Sequence, residues 1–501
     1  MSISNSFSRL FQALNSEDSQ APTIDGADWS DGAGSGVPDA DSYNFSQLIA
    51  PPNPLSGSDG PEQPALFFGS GLLTLSGSHS PSGSSNSPSG SSGSSGSSGT
   101  ANTSASTPAS TILAELSNAG IEADVAKLMV NDSLSYSSML TILQDAAVGG
   151  MTASKFGTLE TLASLLNASG GIAATAYVQQ ITQDVIDGNS ANATWNGGAS
   201  TSVKLGDLSA TSTQTQVGEL IGTWFLGTNL PSLSVSSIGE SNIGATYKTT
   251  TEPLYGSGGA PLYTDVNQGY LGDCYFMSAL ADVALQDPSA VENMIANNGN
   301  GTYSVEFVVG GQPDYVTVDD ALPTMPAGYS WANGSTLEFA NGSPAWAELI
   351  EKAYAELNAQ TNAPHGEELN TASDSYAGID AGSGYALTEL TGQAVNDYSF
   401  TSRTSASTFS TDNSLFAADW KSGEEMLVGT SNIESGNIVS DHMYEVIGYT
   451  AGSSAATDML TLHNPWGSAY SGPLAMTFSI SLASLAADDV TIFATTGKAT
   501  A

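Results

Sequence analysis

Cys274 is the single cysteine among 501 residues, and it ends the run Asn267, Gln268, Gly269, Tyr270, Leu271, Gly272, Asp273. A lone cysteine is most often a small buried hydrophobe. This one opens an apolar stretch in which Phe276, Ala279, Leu280, Val283 and Ala284 recur at helical spacing. The spacing predicts a helix with Cys274 at its N-terminus, where backbone N–H groups and the macrodipole favour a thiolate. Gln268 is within chain reach to aim its amide at a carbonyl oxygen under attack, beside the Cys274 N–H. The chemistry such residues could do is nucleophilic attack on a carbonyl carbon.

A thiol at its free pKa is mostly protonated at neutral pH, so attack needs a base, and histidine is the natural one. The four candidates are His79, His365, His442 and His463. His79 falls in a Ser/Gly-rich tract and His365 in a loop rich in polar residues. His442 leads an alternating segment in which Tyr444, Val446 and Gly448 share its face, so His442 is the expected base. His463 is adjacent to Asn464 and points to the opposite side of its strand. Asn464 is expected to orient His442 by accepting the Nδ1–H, leaving Nε2 to face the thiol.

Further segments carry a family resemblance. Asn267 to Phe276, Val318 to Pro323 (VDDALP), Trp346 to Tyr354 (WAELIEKAY), Leu387 to Gly392 (LTELTG), Asp441-His442 and Leu462 to Gly467 (LHNPWG) occur in that order. Together they resemble the calpain family of papain-like cysteine peptidases over residues 240–495. The resemblance implies a two-lobed α+β fold and a Cys274–His442–Asn464 triad acting on protein or peptide substrates through a thioester acyl-enzyme. It also implies Gln268 in the oxyanion hole and Trp466 as an aromatic cover over the His–Asn bond. Calpain cores carry two calcium sites that are not EF-hands, and Asp265 matches one ligand of the first. Pro344 stands where another carboxylate is expected, and Ser468 to Tyr470 lacks the acidic residue that follows N-P-W-G. No cofactor is therefore expected to be required, and calcium is expected to be dispensable. Asp374 and Asp380 read as solvated loop charge. Two other readings use the same residues: an exported binding or surface protein with little turnover, and a Cys–His acyl transferase of transglutaminase type.

The remaining chain sets the frame. Residues 1–75 read as polar and mostly irregular, and 76–110 as a Ser/Gly/Pro-rich disordered linker. Residues 111–235 read as a small helical accessory or pro-region module, with Trp224 and Phe225 as core or docking edge. Later apolar alternation predicts strands at 303–309, 315–318, 426–428, 442–449, 459–462 and 490–493. A formal net charge of −41, from 9 Lys+Arg against 50 Asp+Glu, opposes nucleic-acid binding and anionic membrane surfaces. No apolar run reaches the length of a membrane span, and the first thirty residues lack a signal-peptide pattern. The acidic, lysine-poor composition favours extracellular export by a signal-independent route, with a salt-adapted cytoplasmic protein as the alternative.

Overall fold

Five short polar residues start five of the six helices of the first region. Asn118, Ser135, Thr152, Thr175 and Thr213 each accept a backbone N–H from the turn that follows, which satisfies donors a helix leaves open. The resulting helices are α1 (Ala109–Leu113), α2 (Ala119–Leu128), α3 (Tyr136–Ala147), α4 (Ala153–Asn167), α5 (Ala176–Ile186) and α6 (Gln214–Ile221). The hairpin β1 (Thr194–Trp195) and β2 (Val203–Lys204) lies between α5 and α6, and a π-turn over Gly222–Leu226 follows α6. Val125, Met139, Leu159, Ile181 and Leu220 close into a core belonging to this module.

The computed structural model describes residues 109–199, 201–233, 245–269, 271–324, 344–360, 375–380, 382–401, 403–431, 436–470 and 473–497, all within one compact unit of the chain. The expectations for residues 1–75, for nearly all of 76–110, for His79 and for His365 lie outside these residues.

Beyond the module, β3 (Thr246–Thr249) pairs with β7 (Ala321–Thr324), and β4 (Ile295–Asn297), β5 (Thr302–Val309) and β6 (Gln312–Asp319) form a three-stranded antiparallel sheet. Pro313 is accommodated in β6 because that strand is an edge, where a missing N–H breaks no ladder. The helices of this lobe are α7 (Cys274–Gln286), α8 (Pro288–Met294), α9 (Trp346–Gln360) and α10 (Ala386–Thr391). Val305, Phe307, Val316 and Val318 face the α7 and α9 core. The opposite face of the sheet, with Thr302 and Thr317, meets the helical module through Tyr136, Tyr177 and Trp224.

Two of the sequence motifs prove to be structural partners. Lys352, fully buried on α9, donates to the Asp319 carboxylate and to the Ala321 carbonyl at 3.0 Å. Tyr354 stacks on Phe276 with ring centroids 3.8 Å apart and donates its hydroxyl to Glu389 on α10. Burying an ammonium without such partners would cost several kcal/mol, which accounts for the acidic residue and the lysine lying in separate motifs.

The second lobe is an antiparallel sheet in the order β12, β11, β10, β9, β13, β8. Its strands are β8 (Val395–Phe400), β9 (Met426–Thr430), β10 (His442–Thr450), β11 (Met459–His463), β12 (Thr477–Ser481) and β13 (Val490–Thr495). Helices α11 (Ala406–Ser422) and α12 (Leu482–Ala487) pack on it. The fold is α+β, as read from the sequence, with Cys274 on the helical lobe and His442 on the sheet lobe.

Candidate active site

Cys274 is the first residue of α7 and is half-buried. Asp380 accepts the Gly272 N–H at 2.9 Å and Tyr275 donates to the Ile379 carbonyl at 3.1 Å, so the segment 376–380 clamps the chain on both sides of the cysteine. The helix N-terminus does not prevail over desolvation. Burial pushes the Cys274 thiol up to about 12, against smaller downward pulls from the N–H groups of Met443, Tyr275 and Cys274 itself. Burial thus opposes the thiolate that helix position alone would favour.

His442 opens β10, and its neighbour Met443 brings a backbone N–H to the Cys274 sulfur. The residue before it, Asp441, has φ +50°. This left-handed conformation suits glycine and is tolerated by aspartate. Burial lowers the His442 imidazole to about 4, partly offset by its bond to Asn464.

That bond corrects one expectation. His442 meets Asn464 Oδ1 through Nε2, at 2.9 Å, and not through Nδ1. The Trp466 backbone N–H reaches the same Asn464 atom at 3.1 Å. A backbone N–H only donates, so that atom is the amide oxygen; an amide oxygen only accepts, so Nε2 carries the proton. Nδ1 is left as the basic nitrogen. Strand alternation places the residue but says nothing of how its ring is turned.

Asn464 is fully buried, and the Trp466 ring lies 5.0 Å from the His442 ring, tilted by 44°. His463 turns away from this pair: it forms an ion pair with Glu445 and meets the Tyr263 ring edge-on at 5.3 Å. Its imidazole is raised by Glu445, in spite of burial.

Gln268 is also brought to the site. Its backbone N–H donates to the Pro465 carbonyl at 2.8 Å, beside Asn464. Ser468 donates to Asn267 Oδ1 at 2.9 Å. Gly467 has φ +60°, and a Cβ there would come within 2.5 Å of the Val266 carbonyl oxygen, so the two loops fit only with glycine at this position. The Gln268 side chain, however, directs Nε2 to the Leu271 carbonyl at 2.7 Å and to Asp273 Oδ1 at 3.2 Å. Both of its amide hydrogens are engaged there.

Asp273 and Asp380 are the site-forming residues that sequence reasoning misses. Asp273 is fully buried and its carboxyl is pushed up to about 7, chiefly by desolvation. Adjacency to the cysteine is its only sequence signal. Asp380 is not solvated loop charge but a structural acceptor, and its partner Gly272 is more than a hundred residues away.

Asp265 accepts the Leu262 N–H at 2.9 Å and the Trp346 indole N–H at 3.0 Å, both on Oδ2. Among the described residues, no three His, Cys, Asp or Glu side chains converge on a common point. Asp265 here anchors the start of α9.

Residues 249–478 match the family model described as calpain family cysteine protease. The chain is 27% identical over 244 residues to a calpain-type cysteine protease of Oryza sativa subsp. japonica, covering 47% of this chain and 10% of that protein. It is 29% identical over 209 residues to a calpain-type cysteine protease of Arabidopsis thaliana, covering 40% and 9%. With the calpain-2 catalytic subunit of Homo sapiens it shares 34% identity over 124 residues, covering 23% and 17%. The chain thus spans about a tenth of the length of these plant relatives.

Proposed function

Because residues 249–478 form a calpain-family cysteine protease domain, we propose that this chain is an endopeptidase acting on protein substrates through Cys274, His442 and Asn464. The observation that carries the reading is the pair of donors on Asn464 Oδ1, which holds Nε2 protonated and leaves Nδ1 as base. Burial raises the Cys274 thiol and lowers the His442 imidazole, and both shifts favour a neutral pair as the starting state. As the sulfur attacks the scissile carbonyl, its proton passes to Nδ1, and Asn464 stabilises the imidazolium that forms.

The oxyanion is held by the Cys274 N–H, which as a first-turn donor has no intrahelical acceptor. Gln268 supplies a second donor when its side chain gives up the longer of its two bonds. Collapse of the intermediate expels the amine, which takes the proton from His442. A water, deprotonated by Nδ1, then attacks the thioester, and the sulfur leaves with the proton returned to it. Among the described residues no helix is long and apolar enough to cross a membrane.

The test is labelling of the full chain by an irreversible epoxide or vinyl-sulfone thiol reagent, alongside hydrolysis of an unfolded protein. Modification at Cys274 with parallel loss of hydrolysis is expected. Hydrolysis that survives complete labelling would overturn the assignment, and thiol-dependent incorporation of a primary amine without net cleavage would mark an acyl transferase.

A further inference from the structure

Helix α7 carries a polar stripe along the face it turns to the sheet lobe. Cys274, Ser278 and Asp282 follow one another at four-residue intervals, so they lie on one side of the helix. All three meet sheet-lobe backbone. The Cys274 sulfur receives the Met443 N–H, the Ser278 hydroxyl donates to the Met443 carbonyl at 3.0 Å, and the Asp282 carboxyl accepts the Met426 N–H. Ser278 is fully buried in an otherwise apolar stretch that includes Met277, Ala279 and Leu280.

The sheet explains why Met443 needs these partners. β11 pairs with β10 only from Glu445 onward, opposite His463, so β11 offers Met443 no partner. A buried peptide carbonyl without a partner costs about 1–3 kcal/mol. The backbone of Met443, next to His442, is thus met by two side chains of the helix that presents the nucleophile, its N–H by Cys274 and its carbonyl by Ser278.

We propose that Ser278 is a positioning residue for the reaction: its hydroxyl fixes the register of the His442 strand against the Cys274 helix, so that proton transfer from sulfur to Nδ1 occurs over a set distance. The inference rests on the reading of Cys274 as nucleophile and His442 as base. Loss of the hydroxyl leaves both groups present and lets the two lobes slide along the seam. A displacement of about 1 Å can cost about a hundredfold in rate.

The experiment compares the full chain with its Ser278→Ala, Ser278→Val and Ser278→Thr forms. Thr and Val match in shape and differ in the hydroxyl. Hydrolysis of an unfolded protein is resolved into kcat and KM, the rate of Cys274 alkylation by iodoacetamide is followed against pH, and Tm is recorded. Ser278→Ala and Ser278→Val are expected to lose about ten- to a hundredfold in kcat with KM nearly unchanged, and to move the alkylation profile. Ser278→Thr is expected to keep both close to wild type. An unmoved alkylation profile in the Ala and Val forms, or a Thr form shifted as far as the Val form, would reduce Ser278 to packing. Failure of the Ala and Val forms to fold would make the bond structural and sink the proposal equally. Absence of Cys274-dependent hydrolysis in the wild type would overturn the parent reading alone, because the alkylation profiles still report on the seam.

Discussion

The helical lobe that carries Cys274 has two interfaces of contrasting character. Toward the N-terminal module, hydroxyls and amides find partners on both sides: Tyr177 with Thr317 at 2.7 Å, Thr317 with the Trp224 carbonyl at 2.7 Å, Gln180 with Asp314 at 2.6 Å. Gly227, at φ +59°, lies so close to the Val318 and Asp319 backbone that a Cβ would collide with it. Toward the sheet lobe, polar atoms are buried without partners: Gln268 Oε1, Glu445 Oε2 and Asn464 Nδ2. Both interfaces bury a displaced carboxyl, and Asp184 near the first is pushed up to about 7. It is held within the module by Asn189 at 2.9 Å, with no nucleophile beside it. Asp184 Oδ2 is orphaned as well, so the difference lies in what surrounds the orphaned atoms: matched pairs across the first interface, a thiol and an imidazole with opposed shifts at the second.

The largest effect expected is at the seam. Cys274→Ala should lower hydrolysis by more than about a thousandfold while circular dichroism stays native, because the change removes a nucleophile and little packing. Turnover left above that level would mean that another group attacks.

The dock should fail differently. Truncation through residue 235 is expected to give aggregated or poorly folded protein, since it bares the sheet face that holds Thr302 and Thr317. A soluble truncated form with higher activity would instead make the module an inhibitor of the cleft, and the contrast between the interfaces would break.

Asn464→Ala should be intermediate, about ten- to a hundredfold in kcat, since His442 remains but its ring and tautomer are no longer held. Steady-state kinetics against Cys274→Ala decide it; equal inactivity in a folded protein would raise Asn464 above an orienting role.

Calcium should matter less. With the Asp265 carboxylate held by two N–H donors, hydrolysis in excess chelator is expected within about tenfold of that in millimolar calcium, the low end of allosteric coupling. All-or-none, reversible loss in chelator would reveal a calcium shell that these donors do not predict. The smallest effect on activity belongs to Thr317→Val. It deletes the hydroxyl joining Tyr177 to Trp224, and should cost about 1–3 kcal/mol of stability with kcat/KM unchanged. Thermal melting with parallel assays would check it.

Much of the site was legible from residues alone. Cys274 at a helix start, His442 at a strand start and Asn464 after a strand follow from periodicity and motif. Helix α11 was less legible, because Ala406–Ser422 is rich in serine, threonine and aspartate, residues of low helix preference. Its signals were Ser405, whose side chain accepts the Thr408 N–H, and Gly423 at φ +76°. β8 and β12 were not anticipated, since short half-exposed strands alternate weakly.

The sequence by itself determined which residue types could react and roughly where each sits in a helix or strand, because propensity, capping and alternation act over a few residues. Tertiary structure alone decided which atoms meet. Only packing turned His442 Nε2 to Asn464, drew the Gln268 amide to Leu271 and Asp273, gave Asp380 to Gly272 and placed Ser278 against Met443. These contacts join groups far apart in the chain or fix the rotation of a ring or amide, and neither is encoded in local spacing. The displaced titrations have the same origin, since desolvation depends on everything that surrounds a group and not on its neighbours in sequence.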